Sequence, residues 1–393
     1  MFKEFMIQGG VTAPKGFYSD GVKAGLKNNT LDLAFIYSKK VSNIGAVFTS
    51  NKFQASPLKH FQKNKIRKSN FILINSKNAN AMTGKQGLKD IEIIFDNLSQ
   101  KFDLVNPVMS STGVIGVPLP IQKIISGAKK FDLSLKKNLN SRQAIMTTDA
   151  YPKEIAFKVE LSDGRTYSIG GMAKGAGMIN PSMATMLAFI TTDLKISTSE
   201  IQKLLKKTSK TTFNAISVDG DTSTNDSVFL MANGEKDFYD EVSFSKVLKK
   251  VMKHLALEII RDGEGAKKMV TFKISGAKSD KDAEKVAKTL SNSLLVKTAL
   301  FGEDPNWGRI AMSIGASGVS VSEEKLVISY ENLKVFNQGK NLFTRKVEKE
   351  AYKILAKNEF TINCDLGFGK GKFESFGCDL GYEYIKINAD YRT

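Results

Sequence analysis

The fold is decided at residues 170–193, which read GGMAKGAGMINPSMATMLAFITTD. Residues 186–190 form a continuous apolar run, which is typical of a strand that is buried on both faces. Four glycines fall within residues 170–177, around Lys174, and glycine permits the positive φ angles of a tight loop. Their spacing fits neither a Walker phosphate loop nor a dinucleotide fingerprint. The pattern predicts a tight loop before a buried strand, and it leaves open whether the loop is a structural turn or binds a ligand.

Thr185 stands at the entrance of the predicted strand, after the small residue Ala184. One interpretation is that it is only a strand-forming residue. The other is that it becomes a nucleophile by self-cleavage. In that chemistry its hydroxyl attacks the preceding carbonyl, an N-to-O acyl shift gives an ester, and water opens the ester. The new N-terminal threonine then carries its own base, because an α-amine has a pKa of about 8.

The histidines favour the second interpretation. The chain has two, His60 and His254. We expect His60 to be exposed, since it lies in a basic segment, and His254 to be a partly buried residue beside the apolar stripe of a helix. Neither pattern indicates a catalytic base, so a nucleophile in this chain needs a base other than histidine.

Outward from this segment, strand-like and helix-like patterns alternate along the chain. Strands are predicted at residues 71–74, 155–161, 167–169 and 270–274. Helices are predicted from apolar spacing at residues 88–98, at 201–205 after the capping box that Ser197 opens, at 247–259 and at 283–294. Residues 162–165 are predicted to form a hairpin turn. Because both hairpin and crossover connections occur, we expect an α+β fold with mixed sheets covered by helices.

Composition narrows the classes of protein. Hydrophobic residues make up 41% and charged residues 25% of the 393 residues, which is typical of a globular chain. No apolar run reaches the roughly 20 residues of a membrane-spanning helix, and residues 1–10 lack the pattern of a signal peptide. Two cysteines, Cys364 and Cys378, exclude a disulfide framework, and no Cys/His cluster has zinc-ligand spacing.

The net charge of +18 raises the alternative of a nucleic-acid-binding protein. Only seven of the 58 basic residues are Arg, whereas specific phosphate and base recognition favours the planar fork of Arg. The lysines are spread along the chain rather than gathered in one arm. We interpret the charge as a lysine-rich solvated surface that helps to attract anionic metabolites.

Residues 174–193 resemble the self-cleavage segment of the ornithine acetyltransferase (glutamate N-acetyltransferase) family of arginine biosynthesis. Motifs in the expected order resemble family motifs over nearly the whole chain. These are residues 75–84 (NSKNANAMTG), 111–116 (STGVIG), 147–149 (TTD), 219–226 (DGDTSTND), 261–266 (RDGEGA), 304–309 (DPNWGR) and 388–393 (NADYRT). Lys77 and Met82 stand where Gly and Cys are expected, and Lys267 stands where Thr is usual. None of these departures falls on the nucleophile or the oxyanion segment.

The resemblance implies cleavage between Ala184 and Thr185, which gives an α chain of residues 1–184 and a β chain of residues 185–393. It also implies stacked mixed sheets of the αββα type. Thr185 then takes the acetyl group of N2-acetyl-L-ornithine and passes it to L-glutamate through an acetyl-threonine intermediate. The Thr112 hydroxyl and the Gly113 N–H become the oxyanion hole. Without the Thr185 segment, these two residues would suit a simple turn.

A substrate-binding set is implied as well. Lys174 is expected to bind the α-carboxylate or polarise the acyl oxygen. Glu264, between two glycines, is expected to face the ornithine ammonium, the other interpretation being a solvated loop carboxylate. The remaining members are Thr148, Thr185, Asn388 and Thr393. No metal or organic cofactor is expected, and acetyl-CoA stays open as a second acetyl donor. The implied partners are the two chains of one precursor, in a cytoplasmic α2β2 heterotetramer without nucleic acid or membrane.

Two alternatives share parts of this pattern. A related N-terminal-nucleophile hydrolase, an aminopeptidase or amidase, would cleave itself and form an acyl-enzyme but release the acyl group to water. The residues expected to bind carboxylate and ammonium groups favour transfer. A basic nucleic-acid-binding protein leaves residues 170–193 unexplained, and the salt dependence of DNA binding would discriminate it.

Overall fold

The structure, a computed structural model, describes residues 1–180 and 186–389. The strands in the described residues are β1 (Phe2–Met6), β2 (Phe17–Val22), β3 (Leu33–Phe48), β4 (Lys68–Asn75), β5 (Val108–Ser111), β6 (Lys153–Leu161), β7 (Thr166–Lys174), β8 (Leu187–Leu194), β9 (Ile216–Ser217), β10 (Ser227–Lys236), β11 (Met269–Ala277), β12 (Val327–Tyr330), β13 (Leu333–Asn337), β14 (Lys340–Asn341), β15 (Glu359–Asp365) and β16 (Gly371–Cys378).

The helices in the same residues are α1 (Ser56–Lys63), α2 (Gln86–Ser99), α3 (Ile121–Ala128), α4 (Asn138–Ile145), α5 (Thr198–Ser209), α6 (Glu241–Arg261), α7 (Asp280–Asn292), α8 (Leu294–Phe301), α9 (Trp307–Gly315), α10 (Arg345–Leu355) and α11 (Tyr382–Ala389). Two short 3-10 turns cover Gly10–Thr12 and Phe213–Ala215. Within the described part of the chain, no helix is both long and apolar enough to cross a membrane.

The described residues divide into two compact units. The first contains residues 1–175, 186–213 and 222–259, and the second contains residues 176–180, 214–221 and 260–389. Each unit is built on one sheet that mixes parallel and antiparallel strands, so the predicted α+β class with mixed sheets and helices is confirmed.

The first unit carries a nine-stranded sheet in the order β1-β6-β7-β8-β10-β3-β4-β5, and β2 pairs with β3. Helices α2 and α3 cover one face of β3 and β4, where Phe35, Phe71 and Leu73 pack against them. The alternate residues Ile36 and Ile72 belong to a separate apolar cluster. Because successive strand residues point to opposite faces, a sheet buried on both sides requires the continuous apolar runs seen in the sequence.

The second unit carries a seven-stranded sheet in the order β14-β13-β12-β15-β11-β16-β9. On β11, Val270, Phe272 and Ile274 are buried in an apolar core that includes residues of α7, whereas Lys273 on the alternate positions is exposed. Ser279 caps α7 by accepting a hydrogen bond from the Asp282 N–H, as its sequence pattern predicts.

Two local predictions were wrong. Gly170 and Gly171 lie inside β7, paired with β6 and β8, rather than in a loop. A Cβ at Gly170 would clash with the Gly10 carbonyl, and one at Gly171 would crowd Leu255, which explains why both positions are glycine. These glycines admit close packing against the strand. Leu294 was predicted to face inward on α7, but α7 ends at Asn292 and Leu294 is 63% exposed at the start of α8.

The predicted boundary between the α and β chains is not a boundary of compact units. Strand β7 precedes residues 184 and 185, strand β8 follows them, and the two strands are antiparallel neighbours in one sheet. A cut at that position would therefore leave the two chains held by a hydrogen-bonded ladder. The cleavage itself remains a prediction, because Ala184 and Thr185 lie outside the described residues.

Candidate active site

One part of the predicted site lies at the ends of three neighbouring strands in the first unit's sheet. Lys174 at the end of β7 pairs with Leu187 at the start of β8, and Leu187 pairs with Ser227 at the start of β10. Three adjacent strands thus end or begin in register. Met186, one residue beyond this row, donates its N–H to the Asp226 carboxylate at 3.0 Å. The residue after the predicted nucleophile is therefore anchored to a side chain that the sequence analysis did not single out.

Lys174 is buried and held by the segment that follows α4. Its Nζ donates to the Thr147 hydroxyl at 2.6 Å and lies 3.7 Å from Asp149 Oδ2. Thr148, between these two partners, is half-buried and makes no hydrogen bond to a described residue. Thr148 thus lies in the chain between the two residues that contact Lys174.

Asp149 organises this segment. Its carboxylate accepts hydrogen bonds from the Gly175 N–H at 2.6 Å, the Thr147 N–H at 3.0 Å and Lys153 Nζ at 2.8 Å. Burial acts to raise the pKa of Asp149, but the ammonium groups of Lys174 and Lys153 outweigh burial and hold the pKa far below its usual value. Asp149 therefore stays ionised and fixes both the end of β7 and the backbone beside Thr148.

Lys27 adds a further positive charge near this group. Its Nζ donates to the Met146 carbonyl at 2.6 Å and the Leu31 carbonyl at 3.2 Å. Burial lowers the pKa of Lys27 to about 8, while the carboxylate of Asp32 partly opposes that shift.

The Lys27 pKa predicts a pH-dependent stability. Between pH 8 and the ordinary lysine pKa of about 10.4, the unfolded chain holds a proton that the folded chain has released, so the free energy of unfolding rises with pH. With Lys27 present, we expect the free energy of unfolding to rise by about 1–2 kcal/mol more over this range than in Lys27→Met. Urea unfolding of the Thr185→Ala chain at pH 7.5 and 10 measures the difference. Lys39→Met, at an exposed lysine, should keep the wild-type slope. Equal slopes for Lys27→Met and wild type would contradict the prediction.

The predicted oxyanion residues lie in a turn after β5. The Thr112 N–H donates to the Asn75 carbonyl at 3.0 Å, and Gly113 has a φ of 131°. A Cβ at Gly113 would clash with the backbone of Lys77, so only glycine fits there. The Thr112 hydroxyl and the Gly113 N–H make no hydrogen bond to any described residue. Two donors are thus available side by side, which an oxyanion hole requires.

Buried amides hold this turn in place. Asn75 accepts from the Ser111 hydroxyl at 2.6 Å and donates to the Asn78 carbonyl at 2.8 Å. Asn225 donates to the Ser111 and Ala79 carbonyls at 2.9 and 2.6 Å. No role was predicted for Asn225. Its signal in the sequence was its place in the motif at residues 219–226, a polar run before a buried strand.

Lys77 and Met82, the two departures in the neighbouring loop, both adopt left-handed backbone. Their φ angles are 74° and 57°. This is the region that glycine enters at no steric cost, which explains why the resemblance led us to expect glycine at position 77.

Glu264, in the second unit, is buried rather than solvated. Its Oε2 accepts from Asn388 Nδ2 at 2.6 Å, and its N–H donates to the Ala176 carbonyl at 2.9 Å. A Cβ at Gly177 would clash with the Glu264 carboxylate, so glycine at 177 leaves room for it. No Lys, Arg or His among the described residues lies within ion-pair distance of Glu264. The structure thus brings together Glu264 and Asn388, and Thr393 lies outside the described residues.

The histidines differ in how well they were predicted. His60 is buried in α1, with its ring 6.1 Å from that of Phe95, so the expected exposure was wrong. Burial lowers the pKa of His60, which makes it a neutral core residue. His254 is half-buried on α6, as predicted.

Comparison with known proteins places this geometry in a family. Residues 18–393 match the ArgJ family. The arginine biosynthesis bifunctional protein ArgJ of Wolinella succinogenes is 55% identical over 396 residues, with all of both chains covered. That of Listeria monocytogenes is 42% identical over 401 residues, covering 99% of this chain and 100% of that protein. The crystal structure of ornithine acetyltransferase from Mycobacterium tuberculosis, in complex with ornithine, is 33% identical. It covers 46% of this chain and 98% of that chain, with a TM-score of 0.40.

These findings define the class of the protein. It is an α+β enzyme of arginine biosynthesis that transfers acetyl groups between small molecules. The chain belongs to the ArgJ family. The family predicted from the motifs is thereby confirmed, as is the predicted class of reaction.

Proposed function

We propose that the chain cleaves itself between Ala184 and Thr185 and that Thr185 then carries an acetyl group from N2-acetyl-L-ornithine to L-glutamate. The bond that forms first joins Thr185 Oγ to the acetyl carbonyl carbon. The bond that breaks joins that carbon to the ornithine nitrogen, which leaves with a proton. Glutamate reverses the sequence. No metal or organic cofactor is required, because acyl transfer between two amines is close to thermoneutral.

The observation that supports acetylornithine as the donor is that Glu264 is buried and has no cation within ion-pair distance among the described residues. A buried carboxylate is unfavourable unless a positive charge or several donors compensate it, and Asn388 supplies one donor at 2.6 Å. The side-chain ammonium of ornithine supplies the missing charge. We therefore assign Glu264 and Asn388 to the ornithine side chain, and Thr393 to the same substrate by resemblance alone.

Lys174 is assigned to the α-carboxylate that both substrates share. Its neighbourhood is rich in positive charge, since Lys153 and Lys174 both contact Asp149 and Lys27 lies within electrostatic range. Two carboxylates, Asp149 and Asp32, do not neutralise three lysines, so an anionic substrate group is attracted there. Thr148 is half-buried and makes no hydrogen bond to a described residue, and we assign it to the same substrate-binding set as Lys174.

Ping-pong kinetics test the proposed function. Because one nucleophile holds the acetyl group between the two substrates, double-reciprocal plots for acetylornithine and glutamate should be parallel. Mass spectrometry of a quenched reaction should show a β chain heavier by one acetyl group. Intersecting lines would indicate a ternary complex and contradict the acetyl-threonine intermediate. Release of acetate without acetylglutamate would instead identify the hydrolase alternative.

A parallel assay asks whether acetyl-CoA is a second donor. The relatives from Wolinella and Listeria are named bifunctional proteins, which supports adding acetyl-CoA to the glutamate assay. We also propose an α2β2 heterotetramer, which native mass spectrometry would measure. A cytoplasmic location agrees with the two free cysteines, Cys364 and Cys378, both of which are buried.

Glu264→Gln should impair use of acetylornithine specifically. The substitution removes the charge but keeps the shape, so the cost should be that of a charge-assisted hydrogen bond, about 1.5–3 kcal/mol, or roughly 10- to 150-fold in kcat/KM. Cleavage at residue 185 should be unchanged, because that step involves no ornithine. Glu359→Gln, at an exposed carboxylate paired with Arg261, is the matched control and should leave both steps unchanged. Blocked cleavage with an unchanged KM for acetylornithine would show that Glu264 is structural.

A further inference from the structure

Asp226 is a buried carboxyl group with one unused oxygen. It precedes β10 and is completely buried. Its Oδ1 accepts the Met186 N–H at 3.0 Å, and its backbone carbonyl accepts the Thr49 N–H at 3.0 Å. Its Oδ2 is equally buried and makes no hydrogen bond to any described residue. A buried oxygen left in this state costs stability, so its retention calls for a functional explanation.

The N–H that Asp226 holds belongs to the peptide unit that joins residues 185 and 186. A peptide unit is planar, so an acceptor that fixes its N–H limits how the whole unit can turn. On the other side, the Met186 carbonyl accepts the Ser227 N–H at 3.1 Å. The backbone of Met186 is thus held at both of its polar groups, by two residues that are adjacent in the chain.

The surroundings of Asp226 disfavour a negative charge. No Lys or Arg within the described ranges forms an ion pair with it, and Lys174 on β7, which is separated from β10 by β8, is paired with Asp149. Burial raises the pKa of Asp226 well above its usual value, and the Met186 N–H, the nearby hydroxyls of Thr49 and Ser223 and the charge of Lys174 offset only part of that rise. An un-ionised carboxyl group accepts through its carbonyl oxygen and offers an O–H as donor.

We propose that Asp226 is a positioning residue: an un-ionised carboxyl group that holds the peptide unit after Thr185 and thereby sets the rate of self-cleavage. The inference rests on the proposed function, because it takes Thr185 as the nucleophile. During cleavage the Thr185 hydroxyl oxygen bonds to the Ala184 carbonyl carbon, the carbon–nitrogen bond breaks, and the hydroxyl proton ends on the new amine. Water then releases Ala184 as a carboxylate. Asp226 neither gains nor loses an atom in this sequence.

Two substitutions at Asp226 and one matched control test the proposal. Asp226→Asn keeps a neutral acceptor for the Met186 N–H, whereas Asp226→Ala removes it. Asp193→Ala is the control, because Asp193 lies at the other end of β8, is also buried, and accepts the Ser168 N–H at 2.8 Å. The fraction of the 43.2 kDa precursor that remains is followed by intact mass spectrometry, with melting temperatures measured on the same samples.

We expect wild type, Asp226→Asn and Asp193→Ala to cleave at similar rates and Asp226→Ala to cleave about tenfold more slowly or worse. In mature Asp226→Asn, the pH–rate profile for acetyl transfer should coincide with that of wild type, because a neutral group replaces a neutral group. This profile serves as the test on its own if Asp226→Ala does not fold.

Several results would overturn the proposal. They are wild-type cleavage in folded Asp226→Ala, equal slowing in Asp193→Ala, and slowing of Asp226→Asn to the level of the alanine variant. A shift of the Asp226→Asn profile toward lower pH would show that Asp226 is charged, since an anion beside the Thr185 amine would raise the pKa of that amine. Failure of the wild-type chain itself to cleave would contradict the proposed function, and the wild-type arm detects that failure separately.

Discussion

Thr185→Ala should remain a single chain of 43.2 kDa and have no measurable acetyl transfer, while wild type separates into two fragments. The hydroxyl is the only group of this side chain that can attack the Ala184 carbonyl, and after cleavage it is the acetyl acceptor. Both steps therefore fail together, which makes this the largest effect we expect. Sequencing of the wild-type fragment that begins at the break should read Thr-Met-Leu-Ala-Phe.

Thr185→Ser is the matched variant, because it keeps the hydroxyl and removes one methyl group. We expect it to cleave and to retain transfer. Thr192→Ala, at a threonine on β8 whose hydroxyl donates to the Ser168 carbonyl at 2.8 Å, should cleave like wild type. An intact Thr185→Ala chain with full acetyl transfer would contradict the mechanism, as would an intact wild-type chain with that activity.

Local patterns in the sequence predicted much of the fold. Strand β4 and helix α2 were predicted because each shows its apolar pattern within a short run of residues. Their apolar residues belong to one core cluster. The cap at Ser197 was found because its acceptor role depends on the N–H of Glu200, three residues away. Features that depend on near neighbours in the chain can be predicted without a structure.

The features that were missed depend on distant partners. His60 is buried because Phe95 of another helix packs beside it. Positions 170 and 171 of β7 are glycine because Gly10 and Leu255 approach them closely. No local pattern contains those approaches, so the glycines were taken for a loop.

The candidate site shows the same division. Lys174, Thr112 and Gly113 were predicted from motifs, but the structure adds what each one contacts. Asp149 was visible only as part of a motif, and its hydrogen bond to Gly175 N–H spans residues 26 positions apart. Asp226, 40 positions from Met186, had no pattern of its own. Residues that position others are the hardest to find from a sequence, because their role depends on a contact with a residue that is distant in the chain.

Thr112→Ala should slow acetyl transfer by about 100- to 1,000-fold with acetylornithine or glutamate as the varied substrate. Each half-reaction passes through a tetrahedral oxyanion, and the loss of one donor to such an anion costs roughly 3–4 kcal/mol of barrier. The Thr112 hydroxyl makes no hydrogen bond to any described residue, so it is available as a donor, while the Thr112 N–H is bonded to the Asn75 carbonyl. Self-cleavage should slow as well, because it forms an oxyanion of its own.

The comparison that isolates the hydroxyl uses two further variants. Thr112→Ser keeps the donor and should retain most of the activity. Thr191→Ala removes a buried hydroxyl that donates to the Val11 carbonyl at 2.8 Å, away from the turn, so it should cost stability but not the rate of a folded sample. The measurement is kcat with both substrates saturating, beside the melting temperature of each variant. A folded Thr112→Ala enzyme that loses less than about tenfold in kcat would show that the Thr112 hydroxyl is not an oxyanion donor, and the Gly113 N–H, which the substitution leaves intact, would remain as the candidate.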